Sequence, residues 1–195
     1  MTDRDLIVIG ASWGGLHALQ TLLGGLPGDL DAAIAVAQHR SPDSQRDALT
    51  HLLAAATPLE VCEAEDKDPI VPGTVYLAPP DYHLLVEPGR FALSTDVRVQ
   101  HARPSIDVLF ESAADAYGPR VVGVVVTGAN EDGAQGLARV KERGGFTIVQ
   151  DPRTAEKAEM PQAAIGASVV DEVVPVESIA KLLVEQCGVG ARVSR

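Results

Sequence analysis

The chain has 195 residues, of which 46% are hydrophobic and 22% charged, and its formal net charge at pH 7 is −11. This composition is typical of a globular protein, and the length suits one α/β domain better than two. The negative charge argues against a nucleic-acid partner and against binding to an anionic membrane, because both depend on clustered Lys and Arg.

The sequence also lacks the signals of export and of membrane insertion. There is no signal peptide and no apolar run of about 18 residues, so we expect a cytoplasmic protein without membrane insertion. The two cysteines, Cys62 and Cys187, are isolated and form no metal-binding motif.

Short apolar runs rich in Val, Ile and Ala predict the strands of a parallel sheet that is covered on both faces. The predicted strands are Leu6–Gly10, Ala33–Gln38, Leu59–Ala64, Val121–Thr127, Phe146–Gln150 and Val169–Val174. Helical patterns lie between them at Leu16–Leu23, Ser44–Ala55, Ile106–Tyr117, Ala134–Arg143 and Ile179–Gln186, with a shorter helix at Met160–Gly166. The alternation predicts an α/β fold with a doubly wound, mainly parallel sheet flanked by helices.

Residues 73–95 break this alternation. Gly73–Ala78, Tyr82–Glu87 and Phe91–Thr95 are strand candidates with no helix between them, and Pro88-Gly89 marks a turn. We therefore expect an antiparallel hairpin or meander inserted into the parallel architecture. We expect residues 1–195 to form a single domain, with the Gly-rich residues 188–195 as a flexible tail.

The segment Gly10-Ala11-Ser12-Trp13-Gly14-Gly15 directly follows the first strand and precedes the first helix. Its spacing matches the G-x-S-x-G nucleophile elbow, in which a serine is exposed on a sharp strand-to-helix turn. Two alternatives stay open. Ser12 could be the N-cap of an ordinary turn, or the glycines could form a phosphate-binding loop at the helix N-terminus.

A nucleophilic serine needs a base and an orienting acid at the same edge of the sheet. His39 ends the second strand and would lie beside Ser12 if the first two strands are neighbours, which makes it the candidate general base; His17 is the competitor. Asp132, in the loop after the apolar strand at 121–127, is the candidate acid. Its alternative role is that of a helix N-cap, and Asp151 is a competing carboxylate at another strand end.

Ordered motifs along nearly the whole chain resemble the catalytic domain of the bacterial chemotaxis protein-glutamate methylesterases of the CheB type. They are Ile9-Gly10-Ala11-Ser12 with Gly14-Gly15, Gln38-His39, Glu63-Ala64-Glu65-Asp66, Val71-Pro72-Gly73 with Tyr76-Leu77-Ala78-Pro79, Arg103 to Phe110, Val124 to Gly128, Asp132-Gly133-Ala134 with Gly136-Leu137, Gln150-Asp151 and Met160-Pro161. The resemblance implies a Ser12–His39–Asp132 triad that hydrolyses γ-methyl esters of glutamate in chemoreceptors, releases methanol and can deamidate receptor glutamines. It implies no metal and no organic cofactor.

Two segments depart from the family's pattern. Trp13 stands where the family usually has threonine after the serine, and Ala129-Asn130 replace the Met-Gly of its Thr-Gly-Met-Gly motif. We assign Trp13, Gly14, Gly128 and Ala129 to the substrate and oxyanion region. The expected partner is the methylated cytoplasmic helices of a chemoreceptor or another methyl-esterified protein. The alternatives are a non-catalytic receptor-binding or signalling module, and a hydrolase for a different ester.

Family members usually carry an N-terminal receiver domain, whereas this chain begins at the first strand of the esterase domain. We therefore expect a free-standing homologue or a fragment of a longer chain. Arg40, Arg46 and Arg103 would give the site a positive mouth, unless they form ordinary surface ion pairs.

Overall fold

The structure, a computed structural model, describes residues 4–41 and 46–190, without the side chain of Arg46. Its strands are β1 (Leu6–Ala11), β2 (Ala33–Gln38), β3 (Glu60–Glu63), β4 (Thr74–Leu77), β5 (His83–Glu87), β6 (Arg90–Ser94), β7 (Val121–Val125), β8 (Phe146–Gln150) and β9 (Glu172–Val174). Its helices are α1 (Gly15–Gly24), α2 (Arg46–Ala54), α3 (Ile106–Tyr117), α4 (Ala134–Glu142), α5 (Glu159–Ala167) and α6 (Val176–Cys187). None of these helices is long and apolar enough to cross a membrane.

The main sheet is built outward from β1, which pairs in parallel with β2 on one side and β7 on the other. The order of its described strands is β3-β4-β2-β1-β7-β8-β9. The chain winds one way from β1 and the other way from β7, so the topological switch point lies between these two strands. The predicted doubly wound, mainly parallel sheet is confirmed. Ligands of open α/β sheets bind beyond the carboxyl ends of the strands at such a point.

Strand β1 shows why both faces of the sheet carry helices. Successive residues of a strand face opposite sides. Ile7 and Ile9 pack in the core with α1 and α6, whereas Leu6 and Val8 pack in the other core with α3 and α4. All four side chains are fully buried, which is why this strand reads as a continuous apolar run.

The expected antiparallel hairpin is confirmed, but two of the three candidate strands form it. β5 pairs with β6 in antiparallel register. The candidate at Gly73–Ala78 was wrongly grouped with them, because Thr74–Leu77 forms β4 of the main sheet, parallel to β2 and β3. All four residues of β4 are buried, as an interior strand requires. Residues 64–73 connect β3 to β4 without a helix. Because the sequence argument identified parallel strands by the helices between them, it did not assign β4 to the parallel sheet.

The predicted start of the second helix and the predicted C-terminal tail fall partly outside the described residues. Ser44 and Gln45, predicted to begin the second helix, lie outside them, and so do residues 191–195 of the expected tail. Residues 188–190, also assigned to the tail, are bound to the chain near residue 30. The Asp31 N–H donates to the Gly188 carbonyl at 3.3 Å, and the Gly190 N–H donates to the Asp29 carbonyl at 3.1 Å.

Candidate active site

Ser12 follows β1 on a turn whose backbone is held by neighbouring strands. Its N–H donates to the carbonyl of Thr127 at 3.0 Å, and its carbonyl accepts from Gln38 Nε2 at 2.8 Å. Gln38 Nε2 also donates to the carbonyl of His39 at 3.0 Å. The ends of β1, β2 and β7 are thereby tied together around the serine.

Glycine is required at position 14, directly after this turn. Gly14 has φ 77°, in the left-handed region that strains other residues. A Cβ at this position would also lie 2.6 Å from Oε2 of Glu156. Gly14 is the N-cap of α1 and makes no side-chain cap hydrogen bond, so Ser12 does not have the capping role that the sequence left open.

His39 lies beside Ser12 because β1 and β2 are neighbours in register, with Ala11 opposite Gln38. Nδ1 of the imidazole is 3.2 Å from Ser12 Oγ, and Nε2 is 2.7 Å from Oδ2 of Asp132. The His39 side chain is 13% exposed. It can therefore exchange a proton with a group in the cleft while most of the ring is shielded from water.

Asp132 is fully buried, and its two oxygens accept four hydrogen bonds. The donors are His39 Nε2, the Ile106 N–H at 2.8 Å, the Asp107 N–H at 2.9 Å and the Ser105 hydroxyl at 2.9 Å. Burial alone would raise the pKa of Asp132. The hydrogen bond from His39 and the N–H groups at the start of α3 outweigh burial, so this pKa lies below its ordinary value. The carboxylate is charged at neutral pH and holds the proton of the imidazole on Nε2.

The competing residues lie elsewhere. His17 is exposed on α1. Asp151 binds the guanidinium of Arg153 at 2.6 Å, and this hydrogen bond lowers the pKa of Asp151. The N-cap of α4 is Gly133, so Asp132 does not cap its own helix. The structure thus brings together Ser12, His39 and Asp132.

Asp107, a second buried carboxyl beside Asp132, was missed from sequence. Its Oδ1 accepts the N–H groups of Gly133 at 2.9 Å and Gly136 at 2.7 Å, and Oδ2 accepts Gln100 Nε2 at 3.1 Å. Burial is the main cause that raises the pKa of Asp107 to about 6. The negative charge of Asp132 also raises this pKa, whereas the hydrogen bonds from the two backbone N–H groups lower it.

Asn130 was missed as well, although it stands at a position where the chain departs from the family's pattern. Its Nδ2 lies 3.2 Å from Nδ1 of His39, and its Oδ1 accepts the Asp132 N–H at 3.2 Å. The sequence feature that could have identified Asn130 is the replacement of the family's glycine two residues before Asp132. It places a polar amide against the imidazole.

Trp13 lies at the surface next to the serine. The residue is 62% exposed. The indole Nε1 donates to Glu156 Oε1 at 3.0 Å, and Nζ of Lys157 lies 6.0 Å from the ring centroid. The ring therefore packs against the segment that precedes α5.

The loop after β7 is fixed by the same segment. Gly128 donates its N–H to the carbonyl of Lys157 at 3.2 Å and accepts the Met160 N–H at 3.0 Å. Met160 packs so closely on Gly128 that a Cβ there would lie 2.5 Å from its Cε. Ala129 is exposed. The Gly128 N–H is thus occupied, whereas the N–H groups of Trp13 and Gly14 have no hydrogen-bond acceptor among the described residues.

A cavity of about 390 Å³ opens beside His39. It is lined by His39, Arg40, Ser41, Arg98, Gln100, His101, Ala102, Arg103, Pro104 and Asn130. Arg40 pairs with Glu63 at 2.5 Å, and both Arg98 and Arg103 pair with Asp81, at 3.1 and 2.9 Å. Three guanidinium groups against two carboxylates leave one excess positive charge in this set. The side chain of Arg46, also expected at the mouth, lies outside the described part of the chain.

Comparisons with known proteins agree with this architecture. The family model described as CheB methylesterase matches residues 7–183. A protein of Leptospira interrogans, named putative protein-glutamate methylesterase/protein-glutamine glutaminase, is 46% identical over 93% of this chain and 94% of its own length. The protein-glutamate methylesterase FrzG of Myxococcus xanthus is 41% identical over 92% of this chain, which spans 54% of that relative.

A solved structure extends the likeness to three dimensions. The crystal structure of the Thermotoga maritima CheB methylesterase catalytic domain matches with a TM-score of 0.88 and 33% identity. The match covers 95% of this chain and 99% of that one. The chain belongs to the CheB methylesterase family.

Proposed function

We propose that the protein is a serine hydrolase that removes γ-methyl esters from glutamate residues of chemoreceptors or of another methyl-esterified protein. Ser12 is the nucleophile, His39 the general base and Asp132 the orienting acid. The observation that carries the proposal is the continuous hydrogen-bonded chain from Ser12 Oγ through the imidazole to Asp132. The names of the relatives, which include protein-glutamate methylesterase, support the choice of substrate.

The hydrogen bonds define the proton path. Asp132 accepts Nε2–H, so the lone pair of His39 lies on Nδ1, the nitrogen next to Ser12. Nδ1 takes the serine proton as Oγ attacks the ester carbonyl, and the carbonyl oxygen becomes an oxyanion. The backbone N–H groups of Trp13 and Gly14 are positioned after the nucleophile to donate to it. Nδ1–H then protonates the methoxy oxygen, the C–O bond breaks and methanol leaves an acyl-serine.

Hydrolysis repeats the same path with water. Nδ1 takes one proton from water as the water oxygen attacks the acyl carbon. That proton then passes to Ser12 Oγ as the acyl C–O bond breaks, and the glutamic acid side chain that is released loses its remaining proton to solvent. A glutamine side chain would follow the same route with ammonia as the leaving group. Deamidation of receptor glutamines is therefore part of the proposal, consistent with the glutaminase name of the relatives.

The charge at the mouth favours an acidic partner. The protein as a whole has a net charge of −11, which would repel an acidic helix. The set formed by Arg40, Arg98 and Arg103 with their two carboxylates is locally positive. It would attract acidic cytoplasmic helices to the serine, in line with a cytoplasmic site of action.

Methanol release from methylated chemoreceptor membranes tests the function. The wild type should release methanol, and Ser12→Ala should reduce release by several orders of magnitude while its melting temperature stays unchanged. A non-catalytic module would neither release methanol nor react with a fluorophosphonate serine probe. A hydrolase for a different ester would react with the probe and cleave an aryl ester, but would leave the methylated receptor intact.

A further inference from the structure

Two donors compete for one lone pair in the resting site. Ser12 Oγ and Asn130 Nδ2 each lie 3.2 Å from Nδ1 of His39. Asp132 holds the ring proton on Nε2, so Nδ1 has a single lone pair and accepts well from one donor. Asn130 can donate to Nδ1 only while Nδ1 is unprotonated, which means while the serine proton is still on Ser12.

The orientation of the Asn130 amide is set by the backbone. Its Oδ1 accepts the Asp132 N–H at 3.2 Å, so the opposite end of the amide, the NH₂ group, faces the imidazole. The side chain also lines the cavity beside His39. A donor of fixed direction thus lies beside the imidazole, in the wall of a cavity that His39 also lines.

Proton transfer removes the acceptor of this amide. When Nδ1 takes the serine proton it becomes a donor, and Asn130 Nδ2 then faces another N–H group. At the same moment negative charge develops on the carbonyl oxygen of the carbon that Ser12 Oγ has attacked. That oxyanion is a new acceptor near the imidazole nitrogen that both Ser12 Oγ and Asn130 Nδ2 contact, and a preorganised amide is well suited to it.

We propose that Asn130 is an oxyanion donor of this enzyme, held on His39 Nδ1 in the empty site and transferred to the oxyanion as the serine proton moves. The inference rests on the proposed serine hydrolase function. The occupied N–H of Gly128 strengthens it, because that backbone group donates to Lys157 and is withdrawn from the reaction.

The test is kinetic, with an aryl ester and a fluorophosphonate as probes, so that it does not depend on the receptor. Asn130→Ala and Asn130→Gly should lower kcat for the aryl ester by roughly 10²–10³-fold, the usual effect of losing one such donor, with KM changed less than about threefold. Phosphonylation of Ser12 by the fluorophosphonate should slow by a similar factor. Asn130→Asp, which keeps the shape and replaces the donor by an acceptor, should be slowed at least as much.

The pH profile separates this role from an effect on the base alone. Among the described residues, the charged and titratable side chains that contact His39 or line its cavity are Asp132, Arg40, Arg98, His101 and Arg103, and the substitutions leave them in place. Loss of an oxyanion donor lowers kcat at every pH. If the variants regained wild-type kcat at high pH, Asn130 would act only on the protonation of His39 and the proposal would be wrong.

Further outcomes decide the remaining cases. Glu131→Ala, in the exposed neighbouring residue, is the matched control and should keep wild-type kcat and KM. If Asn130→Ala kept kcat within about threefold, or if its whole loss were in KM, the proposal would be overturned. If Asn130→Ala failed to fold, Asn130→Asp and Asn130→Gly would decide alone.

Failure of the proposed substrate gives a different pattern. A wild type that reacts with both probes but releases no methanol from methylated receptor would overturn the proposed function and leave the Asn130 effect intact. A wild type that is inert to both probes and releases no methanol would overturn both proposals. Methanol release with an unaffected Asn130→Ala variant would overturn only the role of Asn130.

Discussion

Asp107 and Asp132 accept hydrogen bonds from the N-terminal ends of each other's helices, α3 and α4. Asp132, just before α4, accepts the Ile106 and Asp107 N–H groups at the start of α3. Asp107, in α3, accepts the N–H groups of Gly133 and Gly136 at the start of α4. Both carboxylates lie at the positive ends of helix dipoles. The reciprocal caps fix α3 against α4 and hold the candidate acid within reach of His39.

Asp107→Asn should change how stability depends on pH. In the folded protein the pKa of Asp107 is raised to about 6 from an ordinary value of 3.8. Its contribution to stability is therefore fully present below about pH 4 and is lost as the pH rises through about 6. Asparagine does not titrate. The free energy of unfolding of Asp107→Asn minus that of the wild type should thus be larger at about pH 7.5 than at about pH 4.5.

Urea unfolding at the two pH values measures this difference. Asp115→Asn, an exposed carboxyl on the same helix, is the control and should show a smaller change of the difference with pH. A difference for Asp107→Asn that is equal at both pH values would contradict the raised pKa.

Asp132→Asn should lower kcat by roughly 10⁴-fold, because an amide no longer selects the Nε2–H tautomer of His39. It should also lower the free energy of unfolding, since the new NH₂ group would face donors from α3. Ester turnover and urea unfolding measure the two effects. Glu131→Gln is the matched control, at an exposed carboxyl in the same loop. Unchanged turnover in Asp132→Asn would contradict the role of Asp132 as the orienting acid.

Trp13→Thr should raise activity on methylated receptor relative to activity on a small aryl ester. Trp13 is 62% exposed next to the nucleophile, where a large ring hinders a bulky helix bundle more than a small molecule. The ratio of the two activities is the measurement. Glu156→Ala, which removes the acceptor of the indole N–H but keeps the ring, is the control. An unchanged or falling ratio in Trp13→Thr would disprove gating by the ring.

Ser105→Ala should destabilise the protein by about 1 kcal/mol, the usual cost of losing a helix N-cap. The Ser105 hydroxyl accepts the Val108 N–H at 3.4 Å and donates to Asp132 at 2.9 Å. Activity should fall less than in Asp132→Asn, because three of the four donors to the carboxylate remain. Thermal unfolding checks the prediction against Ser178→Ala, an exposed serine of α6. Equal melting temperatures of the two variants would contradict it.

The sequence predicted the elements whose signals are local. The apolar run of β1 and the glycines around Ser12 gave the elbow, and the parallel neighbour rule placed His39 beside it. Asp132 was found because it follows a buried strand. What was missed depends on contacts between distant segments: the main-sheet position of β4, reached by a crossover without a helix, and the interaction of Asp107 with α4. Neither has a periodic signature in the chain.

The distances along the chain between the site residues have a consequence for folding. Ser12 and His39 are 27 residues apart, at the ends of adjacent strands of one βαβ unit, whereas His39 and Asp132 are 93 residues apart. Local units form sooner than contacts that close long loops. A chain that has formed only its first unit has nucleophile and base but lacks the acid and the start of α3. Esterase activity during refolding would therefore report the docking of β7 beside β1, because the last partner of the imidazole arrives only with β7.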